Sequence, residues 1–269
     1  MLFVGDRIAD EYHYVRQLGK SPKEYVIPLQ YVEKEVFAGG VEAAAAHARS
    51  FCANVSFAGG GRITRKVRFV DRNDIRKLAE VHYEEPCDAA SDFMGALDAL
   101  VITDFGHGAV DTKLAQSYSK AKTFTAVNAQ TNSANIGFNL ITKYPRADYI
   151  VIDEPEARLA AADRDGHIED VVQKLAHGRC ERFVVTRGKF GAVGYDHGRF
   201  LQAPTFSGIP LDTMGAGDAF LAVTAPMAKT GAMEDLLLIG NAAGALKTQI
   251  VGHRKSVTKE ALIDFIRAH

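Results

Sequence analysis

Four apolar runs, at 99–104, 124–128, 149–153 and 183–186, end in polar residues, and helix-forming stretches such as 112–120 and 168–177 lie between most of them. A strand that is apolar throughout must be covered on both faces. Strands of this kind alternating with helices imply a parallel sheet between two helical layers. Right-handed crossovers then set the strand C-termini along one rim, where ligands bind. The chain is thereby confined to an α/β class, with Asp104, Asn128 and Asp153 at that rim.

The remainder has a different texture. Residues 2–4 read as a short buried strand delivering Asp6 at its end, and a charge within six residues of Met1 argues for a strand over a signal peptide. In 10–38 and 62–85, Tyr, Val, Ile and Phe mix with Lys and Glu, as in half-exposed strands. Gly39-Gly40 opens an alanine-rich helix at 41–49, and a brief strand at 55–58 precedes Gly59-Gly60-Gly61. Residues 192–195 and 200–203 form a hairpin turning at His197-Gly198, and the end is helical at 215–229, 233–250 and 258–268. The expectation is one domain over 1–269, carrying a small β lid made by about 10–38 and 62–85.

Composition excludes several functions. Lys plus Arg is 32 against 33 for Asp plus Glu, so bulk charge gives no reason to expect nucleic acid or an anionic membrane as partner. No apolar run approaches the roughly 18 residues of a membrane span. Cys52, Cys87 and Cys180 are scattered without a CxxC spacing, as in reduced thiols of a cytoplasmic protein. Gly19-Lys20-Ser21 ends like a phosphate-binding loop, but Tyr14 stands where its first glycine belongs. No GxGxxG follows the first strand, and the nine histidines lack the spacing of a zinc helix.

The most informative string is Asp212-Thr213-Met214-Gly215-Ala216-Gly217-Asp218-Ala219-Phe220 at the start of a helical run. Two glycines flanking an alanine let backbone N–H groups converge on an anion. On composition alone Asp218 is equally a complement to the helix dipole. The whole string, however, resembles the signature of the ribokinase-like (PfkB) carbohydrate kinases. Other motifs match in order: Gly5-Asp6 with Asp10, Gly39-Gly40, Asp153-Glu154-Pro155-Glu156, the turn from Thr186 through Gly188 to Gly191, and Asn241-Ala242-Ala243-Gly244. Within the family the chain is nearest to the heptose 7-phosphate kinase part of ADP-heptose synthases. That likeness rests on Tyr12, Leu18, Ser21-Pro22, Thr64, Lys66, Arg68 and the run Thr103-Asp104-Phe105-Gly106 with Gly108-Ala109.

The resemblance implies a ribokinase-like three-layer α/β/α sandwich with a mostly parallel central sheet and a small β lid. It implies ATP-dependent phosphorylation of a sugar or sugar phosphate, possible substrates including a heptose 7-phosphate, with magnesium as the metal. Asp218 is then the catalytic base, and the amides of Gly215, Ala216 and Gly217 stabilise the transferring phosphoryl group. Asp6, Asp10, Gly39 and Gly40 line the sugar; Thr186, Gly188, Gly191 and Asn241 line the nucleotide; Glu156 and Asp153 serve the metal. Arg62, Arg65, Lys66 and Arg68 read either as a solvated strand face or, for Lys66 and Arg68, as the holder of a substrate phosphate.

Departures from the family pattern are specific. No Asn follows the diglycine, where Val41-Glu42-Ala43-Ala44 stands. Asp153 replaces an Asn, and 127–132 offers an amide-rich rim in place of an Asp. Gly252-His253-Arg254 is unusual in a loop that often binds a monovalent cation. A strand–helix unit ordinarily separates Ala58 from Arg62, where three glycines stand instead. The first and last of these favour a noncatalytic sugar or nucleotide sensor, which the intact Asp218 disfavours; a scaffold for a nucleotidyltransferase is a further class. The lid, too small to stand alone, implies either a homodimer joined through it or a lid folded onto its own cleft.

Overall fold

The computed structural model describes residues 1–83, 88–92, 96–206 and 208–269. Ten strands form one sheet: β1 (Leu2–Gln17), β2 (Leu29–Gly40), β3 (Ser56–Asp71), β4 (Lys77–Tyr83), β5 (Ala99–Asp104), β6 (Phe124–Ala129), β7 (Tyr149–Asp153), β8 (Arg182–Thr186), β9 (Ala192–Asp196) and β10 (Arg199–Ala203). The helices are α1 (Val41–Ala48), α2 (Thr112–Tyr118), α3 (Glu154–Ala161), α4 (Ile168–Ala176), α5 (Ala216–Thr224), α6 (Met233–Lys247) and α7 (Lys259–Ala268). The order across the sheet is β10-β9-β8-β7-β6-β5-β1-β3-β4, with β2 also pairing β1.

The apolar runs explain the layers. β1 and β5 to β8 pair in parallel, and alternate residues of each strand enter opposite cores. Val4, Ile102, Val127, Ile150 and Val185 point to the layer of α2, α3 and α4, where Leu114, Ala157 and Val172 meet them. Phe3, Val101, Ala126, Val151 and Val184 point to the layer of α1, α5 and α6, against Val41, Phe220 and Leu236. α7 covers the outside of α5 and α6 through Leu262. This is the ribokinase-like three-layer arrangement, with an antiparallel edge at β9 and β10. Their hairpin turns where expected, with His197 and Gly198 both at positive φ (47° and 90°).

The lid departs from its expected form. β1 does not stop at Val4. It meets neither Gly nor Pro between Asp6 and Leu18, and Ile8, Tyr12, Tyr14 and Val15 keep it buried far beyond the core. Nor do the three glycines end a strand. β3 passes through them from the core directly into the lid, pairing with β1 at Gly5↔Gly59 and again at Arg7↔Ile63. Gly60, Gly61 and Arg62 therefore stand opposite Asp6 alone, a bulge that side-chain-free residues accommodate. Lid and core thus share continuous strands. Residues 18–28, part of the expected lid, contain no strand. Glu84 and Glu85 of the expected second lid strand lie outside the described residues, as does Cys87. Cys52 and Cys180 carry free thiols. Among the described residues no helix is long and apolar enough to cross a membrane.

One face of the lid is folded down on the rest of the chain. Tyr12, Tyr14, Phe37 and Val70 pack with Val251, Ile75 and Met214. Tyr12, Tyr14 and Phe37 are therefore covered within one chain. Tyr25, Val26 and Ile27 remain exposed.

Candidate active site

Helix α5 begins without a side-chain cap. Its N-cap is Gly215, at φ 74°, ψ 10°, and no side chain accepts from its first amides. A helix start ordinarily leaves such N–H groups in need of an acceptor. A Cβ at Gly215 would be strained by the left-handed backbone and would sit 3.1 Å from His253 Cε1 and 3.3 Å from Lys247 Cε. His253 and Lys247 thus wall the helix start.

Asp218 lies in the first turn of α5 and is 6% exposed. Its Oδ1 accepts from Gln130 Nε2 at 2.5 Å. Burial raises its carboxyl above the ordinary range, while His253, the Gln130 bond and Lys247 oppose that rise. The amide-rich rim after β6 thus supplies the partner that holds Asp218.

Two cavities meet at this point. A cleft of about 710 Å³ is lined by Thr186, Gly188, Gly191, Ala216, Gly217 and Asn241, among others. It brings together all four residues expected to line a nucleotide. Gly191 (φ 82°) turns so closely that a Cβ would fall 2.0 Å from the Ala203 carbonyl, and Asn241 Nδ2 donates to the Pro204 carbonyl at 3.1 Å. Phe206, Phe265 and His269 add an aromatic wall that no sequence motif announced; the last two rings lie 4.3 Å apart. A smaller polar cavity of about 170 Å³ shares Thr186, Thr213, Ala216 and Gly217 with the cleft and adds Asn128, Gln130, Asp153, Glu156 and Asp218.

Asp153 and Glu156 form a capping box at the start of α3. Asp153 Oδ1 accepts from Glu156 N at 2.7 Å, and Glu156 Oε2 accepts from Asp153 N at 2.9 Å. Glu156 Oε1 accepts from Thr131 N at 3.0 Å. Burial and the neighbouring Asp153 carboxylate push the Glu156 carboxyl up. Asn128 donates to the Val151 carbonyl at 2.7 Å, but its Oδ1 is buried with no hydrogen-bond partner among the described residues. A polar acceptor left open beside acidic side chains fits a hydrated cation. No group of three His, Cys, Asp or Glu side chains able to hold a metal occurs among the described residues. Magnesium, which keeps several waters and binds through few carboxylates, suits such a sparse donor set.

The expected sugar side is only partly free. Asp6 is 1% exposed, and both its oxygens accept backbone amides, from Phe105 at 2.8 Å and Ala109 at 2.9 Å. It shapes the 105–109 loop. Asp10 is paired to Arg68 and lies 3.5 Å from His253 Nε2. Gly39 and Gly40 let β2 close over β1: a Cβ on Gly39 would sit 2.3 Å from Asp10 Oδ2, and one on Gly40 would sit 2.2 Å from the Asp6 carbonyl. Arg68 also pairs with Glu80 at 2.5 Å, while Lys66 is 5% exposed. The basic residues 66 and 68 are therefore not on a solvated face, unlike Arg62.

Sequence motifs also gave no role to Asp212 beyond membership in its string. Asp212 accepts from Tyr12 Oη at 2.7 Å, Lys77 Nζ at 2.7 Å and Gly252 N at 2.9 Å. Two lid strands and the 250–252 loop are thereby tied to the segment preceding α5.

The profile of the pfkB family carbohydrate kinases matches residues 71–260. A 2-dehydro-3-deoxygalactonokinase of Haloferax volcanii is 31% identical over 126 residues, which cover 46% of this chain and 39% of the relative; the match thus spans about two fifths of that protein. Among solved structures, the ribokinase of Thermotoga maritima is 15% identical with a TM-score of 0.73, covering 99% of this chain and 98% of its own. The Arabidopsis thaliana ribokinase complexed with ribose and ATP gives the same four values. Phosphofructokinase-2 of Escherichia coli, in complex with potassium, is 16% identical with a TM-score of 0.74, covering 99% and 97%.

Proposed function

The chain belongs to the pfkB family of carbohydrate kinases, and from that premise we propose that it transfers the γ-phosphoryl group of ATP to a hydroxyl of an anionic sugar, with Asp218 as base. The carrying observation is the meeting of the two cavities at an uncapped helix start, with a buried carboxylate one turn inside. ATP occupies the large cleft, its base end toward Asn241 and its phosphates toward Ala216 and Gly217. The sugar hydroxyl approaches Asp218 from the lid side.

Asp218 takes the proton of the attacking hydroxyl, a contribution of about 10²–10⁴ in rate. Gln130 fixes its orientation. Amides of Gly215, Ala216 and Gly217 accept the charge that develops on the transferring group, aligned beforehand by the helix. Magnesium, when bound, neutralises phosphate charge; Asn128 Oδ1 and Asp153 would hold its water shell, and Glu156 keeps Asp153 in place. Asp10, poised between Arg68 and His253, grips a sugar hydroxyl, whereas Asp6 acts through the 105–109 loop.

An anionic substrate is supported by Lys66 and Arg68, which are buried opposite Asp10 and Tyr12 on β1 and not on a solvated face, Arg68 pairing with Asp10. A heptose 7-phosphate and the sugar acid named by the Haloferax relative both carry such a charge. Val36, Val81 and Tyr83 leave an apolar outer surface on the lid, which supports a homodimer joined there. Residues 1–269 act as one domain whose lid is the outer part of β1 to β4. ADP release, measured with ATP, magnesium and a panel of heptose 7-phosphate, 2-dehydro-3-deoxygalactonate, fructose 6-phosphate and ribose, tests the reading. Strong stimulation by one charged sugar supports it; no stimulation by any member, despite ATP binding, favours a sensor.

A further inference from the structure

Lys247, in the last turn of α6, is 0% exposed. Its ammonium donates to the carbonyls of Gly252 at 2.7 Å, Met214 at 2.8 Å and Ile250 at 3.5 Å. A desolvated ammonium is costly unless each donor is satisfied, and three carbonyls match its three N–H bonds. One carbonyl belongs to the residue immediately before Gly215, the N-cap of α5. The other two belong to the 250–252 loop, whose Gly252 amide also binds Asp212. Lys247 therefore ties the backbone at the start of α5 to the 250–252 loop. Its Cε lies 3.3 Å from where a Gly215 Cβ would be.

A cage of carbonyl oxygens around one buried positive charge is the environment a dehydrated monovalent cation requires. Here the charge is covalently attached. We propose that Lys247 is a built-in monovalent cation, a positioning residue that holds the Met214 and Gly252 carbonyls together so that the Gly215–Gly217 amides are aligned without added potassium or sodium. The inference rests on the kinase reading for its rate consequence but not for its binding consequence. Burial lowers the Lys247 affinity for its proton below the ordinary lysine value, and Asp212 and Asp218 nearby oppose that fall in part.

The test compares wild type, Lys247→Ala and Lys247→Met in tetramethylammonium chloride and in potassium chloride at equal ionic strength. Turnover and thermal midpoint are read in each. Wild type is expected to change less than twofold in kcat between salts, with no shift in midpoint. Lys247→Ala, which opens room for an ion, is expected to lose about 10²-fold in kcat, the scale of a misaligned oxyanion donor. Potassium should return at least tenfold of that loss and raise its midpoint. Lys247→Met fills the volume without charge; it should stay slow in both salts, with KM for ATP little altered. Wild type stimulated tenfold by potassium, a Met variant as fast as wild type, or an Ala variant whose midpoint ignores potassium would each overturn the proposal. The midpoint shift is read without any sugar, so failure to find a substrate leaves this test intact. Should Lys247→Ala fold only in potassium chloride, that requirement is itself the expected result; folding in neither salt shifts the decision to wild type and Lys247→Met.

Discussion

Tyr12 donates a 2.7 Å hydrogen bond to Asp212, joining the outer half of β1 to the loop that leads into α5. Both side chains are buried, and the same carboxylate holds Lys77 of β4. The lid is thus wired to the segment that leads into the uncapped start of α5. Tyr12→Phe removes one bond to a charged acceptor while leaving the ring in the lid core, a change worth about 1.5–3 kcal/mol. Urea denaturation should show a lower midpoint with an unchanged slope, and kcat should fall more than the affinity for ATP. An unchanged midpoint would mean that Lys77 and the Gly252 amide hold Asp212 unaided.

Asp212 also sets an acid limit on stability. Burial alone would raise its carboxyl, but the Lys77 ammonium, the Gly252 amide and Tyr12 bring it down to about 2. The folded value is below the unfolded one, so its stabilisation is complete above about pH 4 and disappears as pH falls toward 2. The contribution is about 2 kcal/mol. Urea melts from pH 5 to pH 2.5 should show Asp212→Asn losing less stability over that interval than wild type. Parallel curves would assign the acid sensitivity to other carboxylates.

Lys66 and Arg68 offer a direct reading of substrate charge. Arg68 is held by Asp10 and Glu80, so its guanidinium is fixed beside Asp10 before any substrate arrives. Replacing both residues with Ala should raise KM for the charged sugar at least tenfold while KM for ATP changes little. Equal increases for a neutral sugar would confine the pair to orienting Asp10.

The lid dimer must be disrupted at exposed positions. Val67 is 3% exposed within one chain, so Val67→Asp would damage the lid itself. Val36 and Val81 are 55% and 40% exposed and share a cross-strand row with Glu11 and Val67. Light scattering should give twice the 29.2 kDa chain mass, reverting to one chain in the double variant Val36→Asp, Val81→Asp. A single-chain mass for wild type would leave the lid as an intramolecular cover.

What could be read from the sequence follows from how local each signal is. The apolar runs at 99–104 and 149–153 specify buried parallel strands whatever surrounds them, and Gly215-Ala216-Gly217-Asp218 specifies an open helix start within four residues. The fusion of core and lid in β3 was not legible, because Gly59-Gly60-Gly61 reads as a turn until β1 is seen running beside it. Lys247 was equally hidden. A lysine in a last helical turn ordinarily complements the dipole in solvent, and only the folding back of 250–252 buries it. Asp6 illustrates the converse: its motif suggested a ligand contact, whereas tertiary packing commits both oxygens to backbone amides.

In the proposed reaction Asp218 accepts the proton of the attacking hydroxyl. Asp218→Asn keeps the shape and the bond distance to residue 130 within reach, but it cannot act as a base. The decisive measurement is kcat for wild type and Asp218→Asn on the best sugar of the panel, together with ATP affinity by calorimetry and the thermal midpoint. The account predicts a kcat loss of about 10²-fold or more, with ATP affinity and midpoint nearly unchanged. An Asp218→Asn enzyme that keeps more than about a tenth of wild-type kcat would contradict it.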